Sequence, residues 1–333
     1  MNETDKWLVI VNPQAYLGNA KKDWPKIKNT LIENGFDFDA FFTEHIGHAV
    51  ELVKEKITEF GYKKIIAVGG DGTFNEVSNG IFLQQRFGTN DITLGLIPVG
   101  TGNDWTRTYE FPKDYDKVVK IIKTGQVFKQ DVGKVTYHNY GDPKVRYFVN
   151  EAGTGLDEMV CKQANKLKQE GKGGKMNYLL SLVNCLMKYK CTHVQIELDG
   201  KLVFDDSILS LTVGICRFNG GGMMMMPNAI PDDGLFDITV IKKVTMLKFV
   251  MNAKRIYDGS FVKKLKEVST FKGRKIRIVS IPSHSLLLET EGENLTNSPF
   301  EFEIIPQAIN ILIKPSTARR LTIDKNDNNK KNK

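Results

Sequence analysis

From Trp7 the chain alternates short apolar runs with stretches of helical spacing. Trp7 to Val11 is continuously apolar and breaks at Asn12-Pro13; Trp24, Ile27, Leu31 and Ile32 then recur at helical intervals until Gly35. An apolar and aromatic strand follows at Asp37 to Phe42. Next come a helix through Ala49, Leu52, Val53 and Ile57 that closes at Gly61, and a strand at Lys64 to Val68. A glycine-rich turn, a helix from about Asn75 to Leu83, a strand at Thr93 to Pro98, a second glycine turn and a short helix near Asp104 complete this half. Strands of this kind, alternating with helices, predict a parallel sheet covered on both faces.

Beyond Gly133 strands dominate: Lys134 to Tyr137, Arg146 to Asn150, Val194 to Leu198, Ser207 to Ile215, Phe236 to Ile241, Lys275 to Val279, Ser285 to Glu289 and Phe300 to Ile304. Helical stretches interrupt them at Asp157 to Lys190 and Thr245 to Tyr257. The expected fold is therefore an N-terminal α/β domain over residues 1–133 and an antiparallel β-sandwich over 134–305. The apolar strand Ala308 to Ile313 fits either, so 306–320 is open to join the first domain. The lysine- and asparagine-rich end, 321–333, reads as a disordered tail. A chain of 333 residues accommodates two domains, which makes a cleft between them available.

Composition narrows the function. With 41% hydrophobic and 26% charged residues the chain is that of an ordinary globular protein. No apolar run reaches the roughly 18 to 20 residues of a membrane span, and the polar start carries no signal segment, so a cytoplasmic location is expected. Four cysteines without a CxxC pair imply reduced thiols. The net charge of +8 suits an anionic partner, and Lys162 to Lys190, which mixes lysine with Leu, Met and Tyr, reads either as a solvated helix face or as one lying against lipid headgroups. Nucleic acid is disfavoured, because the basic residues are not interleaved with aromatics in a recognisable module.

The strongest chemical signal is Ile65-Ile66-Ala67-Val68-Gly69-Gly70-Asp71-Gly72-Thr73-Phe74-Asn75-Glu76. A buried strand empties into glycines that let backbone N–H groups approach phosphate oxygens, and a helix N-terminus adds positive potential there. Asp71 in that turn would repel a bare phosphate unless magnesium or a hydrogen-bond network intervenes. The turn is neither a Walker A loop nor a GxGxxG fingerprint.

The stretch resembles the nucleotide loop of the diacylglycerol kinase catalytic-domain superfamily, which includes soluble bacterial lipid kinases, sphingosine kinases and ceramide kinases. A similar turn occurs in NAD kinases and a related one in phosphofructokinases. Three further features favour the lipid branch: Asn75-Glu76, the segment Gly95-Leu96-Ile97-Pro98-Val99-Gly100-Thr101-Gly102-Asn103-Asp104, and Pro227-Asn228-Ala229-Ile230-Pro231-Asp232-Asp233-Gly234-Leu235. The resemblance runs from about Trp7 to Lys314. It implies a phosphofructokinase- or NAD kinase-like first domain, ATP and Mg²⁺ as cofactors, and a lipid acceptor such as diacylglycerol or a sphingoid-like lipid. Peripheral attachment to a membrane surface without a spanning segment follows, and a homodimer is compatible with it.

Carried over residue by residue, the resemblance implies nucleotide contacts at Asn12, Thr43, Gly69, Gly70, Asp71, Gly72, Thr73, Glu76, Gly100, Thr101, Asn103 and Asp104. It implies a structural magnesium held by Asp233 with the backbone of Ile230 and Leu235, and catalytic roles for Asp71 and Glu291. On the residues alone, Asn12 and Thr43 read equally well as turn residues and the Asp233 segment as a hairpin turn.

Two departures from the family pattern stand out. Glu291-Gly292-Glu293 replaces the family's Asp-Gly-Glu, moving the proposed base by about 1.5 Å through one added methylene, where positioning supplies much of the rate. His48 stands where bacterial members carry Asp. Gly220 to Met226 offers either flexible apolar surface for acyl chains or buried core. The alternatives to a lipid kinase are an NAD kinase and a non-catalytic nucleotide- or lipid-binding protein.

Overall fold

The computed structural model describes residues 4–100, 102–139, 142–170 and 175–331. It divides into two compact units, the first of residues 1–131, 230–233 and 306–333, the second of 132–229 and 234–305.

The first unit opens as β1 (Trp7–Val11), α1 (Ala15–Glu33), β2 (Phe38–Phe42), α2 (His48–Phe60), β3 (Lys64–Gly69), α3 (Asp71–Leu83), β4 (Thr93–Pro98), α4 (Asp104–Thr108) and α5 (Tyr115–Thr124). The strands pair in parallel in the order β2-β1-β3-β4. Val9, Val11, Ile66 and Val68 face a core that includes Ile27 and Leu31 of α1 and Val118, Val119 and Ile122 of α5. Alternate residues Leu8, Ile10, Ile65 and Ala67 are as fully buried on the opposite face, where α2 and α3 pack. Burial on both sides is why these strands are apolar throughout.

β5 (Gln126–Asn139) leads into the second unit, continued by β6 (Asp142–Phe148), β7 (Glu151–Gly155), α6 (Leu156–Gln169), α7 (Lys175–Lys188), β8 (Thr192–Leu198), β9 (Lys201–Ile208), β10 (Ser210–Gly214) and β11 (Phe236–Ile241). Then come α8 (Met246–Asp258), α9 (Phe261–Lys264), β12 (Val268–Gly273), β13 (Lys275–Ile281), β14 (Leu287–Thr290), β15 (Glu293–Asn297), β16 (Phe300–Ile313) and α10 (Pro315–Lys331). One sheet joins β12-β11-β10-β7-β14-β15, and a second sets β13 between β8 and the first half of β16. Phe236 of the first sheet packs against Phe148 and Phe302 of the second, with ring centroids 5.8 and 6.4 Å away, so the two faces share an aromatic core. The second half of β16 pairs in parallel with β4, and so belongs to the first unit.

The segment expected to be a disordered tail is helical through Lys331. Leu321 is fully buried, Arg320 donates to the Thr108 carbonyl, and Lys325 bonds the Asp232 carboxylate at 2.9 Å. One apolar anchor and these side-chain bonds hold a helix that its polar composition does not announce. The methionines after Gly222 are core: Met223, Met225 and Met226 are buried in one cluster with Leu182, Leu186 and Phe261, so they do not form an open acyl surface. None of the four cysteines is in a disulfide, and no described helix is long and apolar enough to cross a membrane.

Candidate functional site

In the first unit, the chain leaves the carboxyl ends of four neighbouring parallel strands at Asn12, Thr43, Gly69 and Val99, the edge where open α/β sheets bind ligands. Backbone bonds tie these exits together: Thr43 N to Val11 O, Asn12 N to Val68 O and Val99 N to Gly69 O, at 2.9, 3.0 and 2.8 Å. The Asn12 side-chain amide donates to Thr73 Oγ1 at 2.9 Å, joining the first loop to the start of α3.

The two glycine turns approach so closely that larger residues would not fit. A Cβ on Gly69 would lie 2.5 Å from Thr73 Oγ1, and one on Gly100 would lie 3.0 Å from Gly70 Cα and 2.4 Å from Asn103 Oδ1. Asp71 joins the turns. Its Oδ2 accepts from Asp104 N at 3.0 Å and its Oδ1 from Trp105 N at 3.2 Å, so its carboxylate caps α4 and is the hydrogen-bond network that a negative charge in this turn requires. Burial raises the Asp71 carboxyl above its ordinary value, against the opposing pull of those N–H groups and of Arg107. The structure thus shows Asp71 positioning the start of α4.

The cap holds because α4 is itself anchored. Trp105 is buried, packs at a tilt against Phe74 with ring centroids 4.3 Å apart and donates through Nε1 to Gln130, which also accepts from Tyr109. Asn103 precedes α4 with φ +49° and donates to the Gly100 carbonyl at 3.1 Å, and Asp104 is buried with Arg107 Nε 3.3 Å from its carboxylate.

Glu76, expected as a nucleotide contact, bonds the backbone of the neighbouring loop. Its two oxygens accept from Gly47 N and Ala49 N at 3.0 and 3.2 Å and strap α3 to the start of α2. Beside that strap, His48 Nδ1 accepts from Glu44 N and its ring stacks on His45. Thr101 lies outside the described residues. Of the proposed metal set, Ile230 and Asp233 meet in the first unit, where Asp233 N donates to Ile230 O at 3.4 Å, and Leu235 belongs to the second unit. A carboxylate and a backbone carbonyl are the hard oxygen donors magnesium takes.

In the second unit Glu291 sits at the tip of the β14–β15 hairpin with φ +52°, followed by Gly292 at +85°, the paired left-handed geometry of a tight two-residue hairpin turn. Its side chain folds back on the bend before β7. Oε1 accepts from Val149 N at 3.1 Å, Asn150 N at 2.5 Å and Glu151 N at 3.3 Å. The turn is held from three more directions: Gly292 N donates to Glu289 Oε2 at 3.0 Å, and Asn165 and Cys161 donate to the Gly292 carbonyl.

Around Glu291 lies a group of buried acids that sequence reading did not single out. Glu151 and Glu289 share a carboxyl–carboxyl hydrogen bond; burial and the mutual repulsion of the cluster hold Glu151 well above the carboxylate range, and burial pushes Glu289 up to about 8. Asp157 accepts from Ser210 and Thr212 at 3.0 Å each and is pushed by burial to about 6. Gly153 leaves them room, since a Cβ there would lie 2.6 Å from Glu289 Oε1. The signal was present as charges inside otherwise apolar or small-residue strands, Leu287-Leu288-Glu289-Thr290 and Glu151-Ala152-Gly153. Asn75, read from the sequence only as part of the Asn75-Glu76 feature, was given no site role. It is fully buried in the first turn of α3, and neither its side-chain nitrogen nor its oxygen has a partner.

Comparison with known proteins agrees with this architecture. Residues 6–135 match the diacylglycerol kinase catalytic domain and 150–313 the YegS C-terminal NAD kinase beta sandwich-like domain. A diacylglycerol kinase of Bacillus subtilis (strain 168) is 30% identical over 316 residues, 94% of this chain and 98% of the relative. The chain belongs to the diacylglycerol kinase catalytic-domain superfamily. Its fold is shared by the crystal structure of a diacylglycerol kinase from Bacillus anthracis str. Sterne (TM-score 0.67, 24% identity, 95% of this chain and 100% of that one). An NAD kinase from Archaeoglobus fulgidus in complex with ATP is a more distant likeness (TM-score 0.52, 11% identity, 96% and 98%). Membership makes the chain a kinase of a lipid-kinase family, and the two-domain α/β plus β-sandwich fold read from the sequence is the fold found.

Proposed function

We propose that this kinase transfers the γ-phosphate of ATP to the hydroxyl of a lipid, with diacylglycerol, the acceptor in its relatives' name, as the first acceptor to test and a sphingoid-like lipid as the second. The observation that carries the reading is the junction of the two glycine turns through Asp71. It sets Gly70 and Gly100 against each other at one sheet edge, where the N-terminus of α3 adds its dipole. A triphosphate tail is the ligand such an edge fits.

In the reaction the acceptor oxygen attacks the γ-phosphorus, the bond to the β-bridging oxygen breaks, and ADP leaves. Glu291 takes the hydroxyl proton. Three backbone N–H groups on its Oε1 fix the carboxylate for that role. Magnesium, carried with the nucleotide, supplies charge neutralisation on the phosphates. Asp233 and the Ile230 carbonyl would hold a second ion, in a structural role. Asp71, Asn12 and Glu76 act by holding loops. The protein works in the cytoplasm and reaches its lipid from a membrane surface.

The test is ADP release with ATP·Mg²⁺ and, separately, dispersed diacylglycerol, a sphingoid base and NAD. Turnover on a lipid and none on NAD supports the reading. Turnover on NAD alone, or on no acceptor while ATP still binds, overturns it.

A further inference from the structure

The helix α8 has two apolar faces. One is used in the ordinary way: Phe249 and Ile256 pack into the core cluster that also holds Leu186, Met225 and Phe261, and Asn252 is buried beside them. The opposite face should then be polar. Instead Leu247, Val250 and Met251, spaced to form one patch over successive turns, are 70%, 59% and 74% exposed. The helix is well ended, with Thr245 accepting from Lys248 N and Gly259 left-handed at its C-terminus, so the patch is presented on a fixed rod.

Charge around the patch is one-sided. Lys243 stands one turn before Leu247 and Lys254 one turn after the patch, both exposed, and Arg255, Lys263, Lys264 and Lys266 follow on α8, α9 and the next loop, exposed as well. Between Lys242 and Lys266 the only acid is Asp258, and Glu267, next in sequence, is already paired with Lys248 at 2.6 Å. Protein–protein interface cores are depleted in lysine. An apolar strip bordered by lysines, whose stems reach past the strip while their ammonium groups stay in water, is the pattern of a helix resting in an anionic lipid interface.

We propose that the Leu247, Val250 and Met251 face of α8, with its lysine border, docks this protein onto an anionic lipid bilayer. The proposal rests on the lipid-kinase reading for its purpose, because an acceptor with acyl chains resides in a bilayer, but it stands on the patch and its charges for its location. The sequence had left Lys162 to Lys190 open as a solvated or a lipid-facing helix, and residues 171–174 of that stretch lie outside the described residues.

The full-length chain is sedimented with vesicles of phosphatidylglycerol and phosphatidylcholine, and with phosphatidylcholine alone, beside the variant Leu247→Ser/Val250→Ser/Met251→Ser. Because these side chains are exposed, the variant keeps its fold. The wild type should bind the anionic vesicles at least about tenfold more tightly than the neutral ones, less so in high salt, and the variant should lose about tenfold or more of that binding. Its turnover of a short-chain, monodisperse diacylglycerol should be unchanged. Equal binding by the variant overturns the proposal, as does a variant that also fails on the monodisperse acceptor. A self-associating chain that the variant dissociates without a change in vesicle binding assigns the face to a second copy and overturns it too. If the wild type turns over the monodisperse lipid yet binds no vesicle, docking fails and the kinase reading stands. Vesicle binding without turnover of any acceptor leaves docking standing and removes the kinase reading.

Discussion

Replacing Glu291 in two ways separates what its carboxylate does for the fold from what it does for the reaction. Glu291→Ala removes the acceptor shared by Val149 N, Asn150 N and Glu151 N, all in a buried bend. Each buried amide left unpaired costs about 1 to 3 kcal/mol; since the three share one oxygen, the lower end of the sum applies, about 3 to 5 kcal/mol. At about 2 to 4 °C per kcal/mol for a unit of this size, the thermal midpoint should fall by about 6 to 20 °C. Glu291→Gln keeps an oxygen in the same place and loses only the charge assistance, about 1 kcal/mol or a few degrees. Yet glutamine cannot take a proton, so kcat should drop about 100-fold or more, with KM for ATP unchanged. Scanning calorimetry and steady-state kinetics on both variants check this. A glutamine variant with wild-type kcat would refute the base, and an alanine variant with wild-type midpoint would refute the bend-holding role.

Three further outcomes follow from the geometry. Asp71→Ala strips the acceptor from Asp104 N and Trp105 N and uncouples the two glycine turns, so KM for ATP should rise about tenfold or more with a smaller change in kcat; the reverse split would make Asp71 a participant in the chemistry. Glu289, raised to about 8 from an unfolded value near 4.5, favours the folded state while protonated, so its contribution is complete below about pH 4.5 and is lost as pH rises through 8. The thermal midpoint should accordingly fall from about pH 5 to about pH 9, and Glu289→Gln, neutral throughout, should flatten that fall; an unchanged slope would contradict the buried acid pair. Asn75→Leu removes a buried amide that bonds nothing, so the midpoint of the unliganded protein should hold or rise while kcat/KM for ATP falls about tenfold. A less stable but fully active variant would show that Asn75 serves only the fold.

Sequence pattern revealed the first unit well because its strands are buried on both faces and its helices carry clear stripes. It passed over α5, whose buried Val118, Val119, Ile121 and Ile122 alternate with lysines over only ten residues. In the second unit β7 went unread because Glu-Ala-Gly-Thr-Gly has little strand propensity of its own; pairing with β10 and β14 makes it a strand. The break read at Pro306 is bridged, since Gln307 adopts φ +50° and donates its N–H to Asp131, letting β16 continue to Ile313. The glycine turns stood out from residue type alone. That Asp71 caps a neighbouring helix, that Glu76 straps α2, and that Glu291 lies among other buried acids depended on contacts between residues 27 to 142 apart in the chain.

The central claim is phosphoryl transfer from ATP to a lipid alcohol, and incubating the full-length chain with γ-labelled ATP, Mg²⁺ and a total lipid extract tests it most directly. The account predicts label in a phospholipid newly made from a lipid bearing a free hydroxyl, and about 100-fold less of it with Glu291→Gln. Label recovered only as free phosphate or in a water-soluble nucleotide would contradict it.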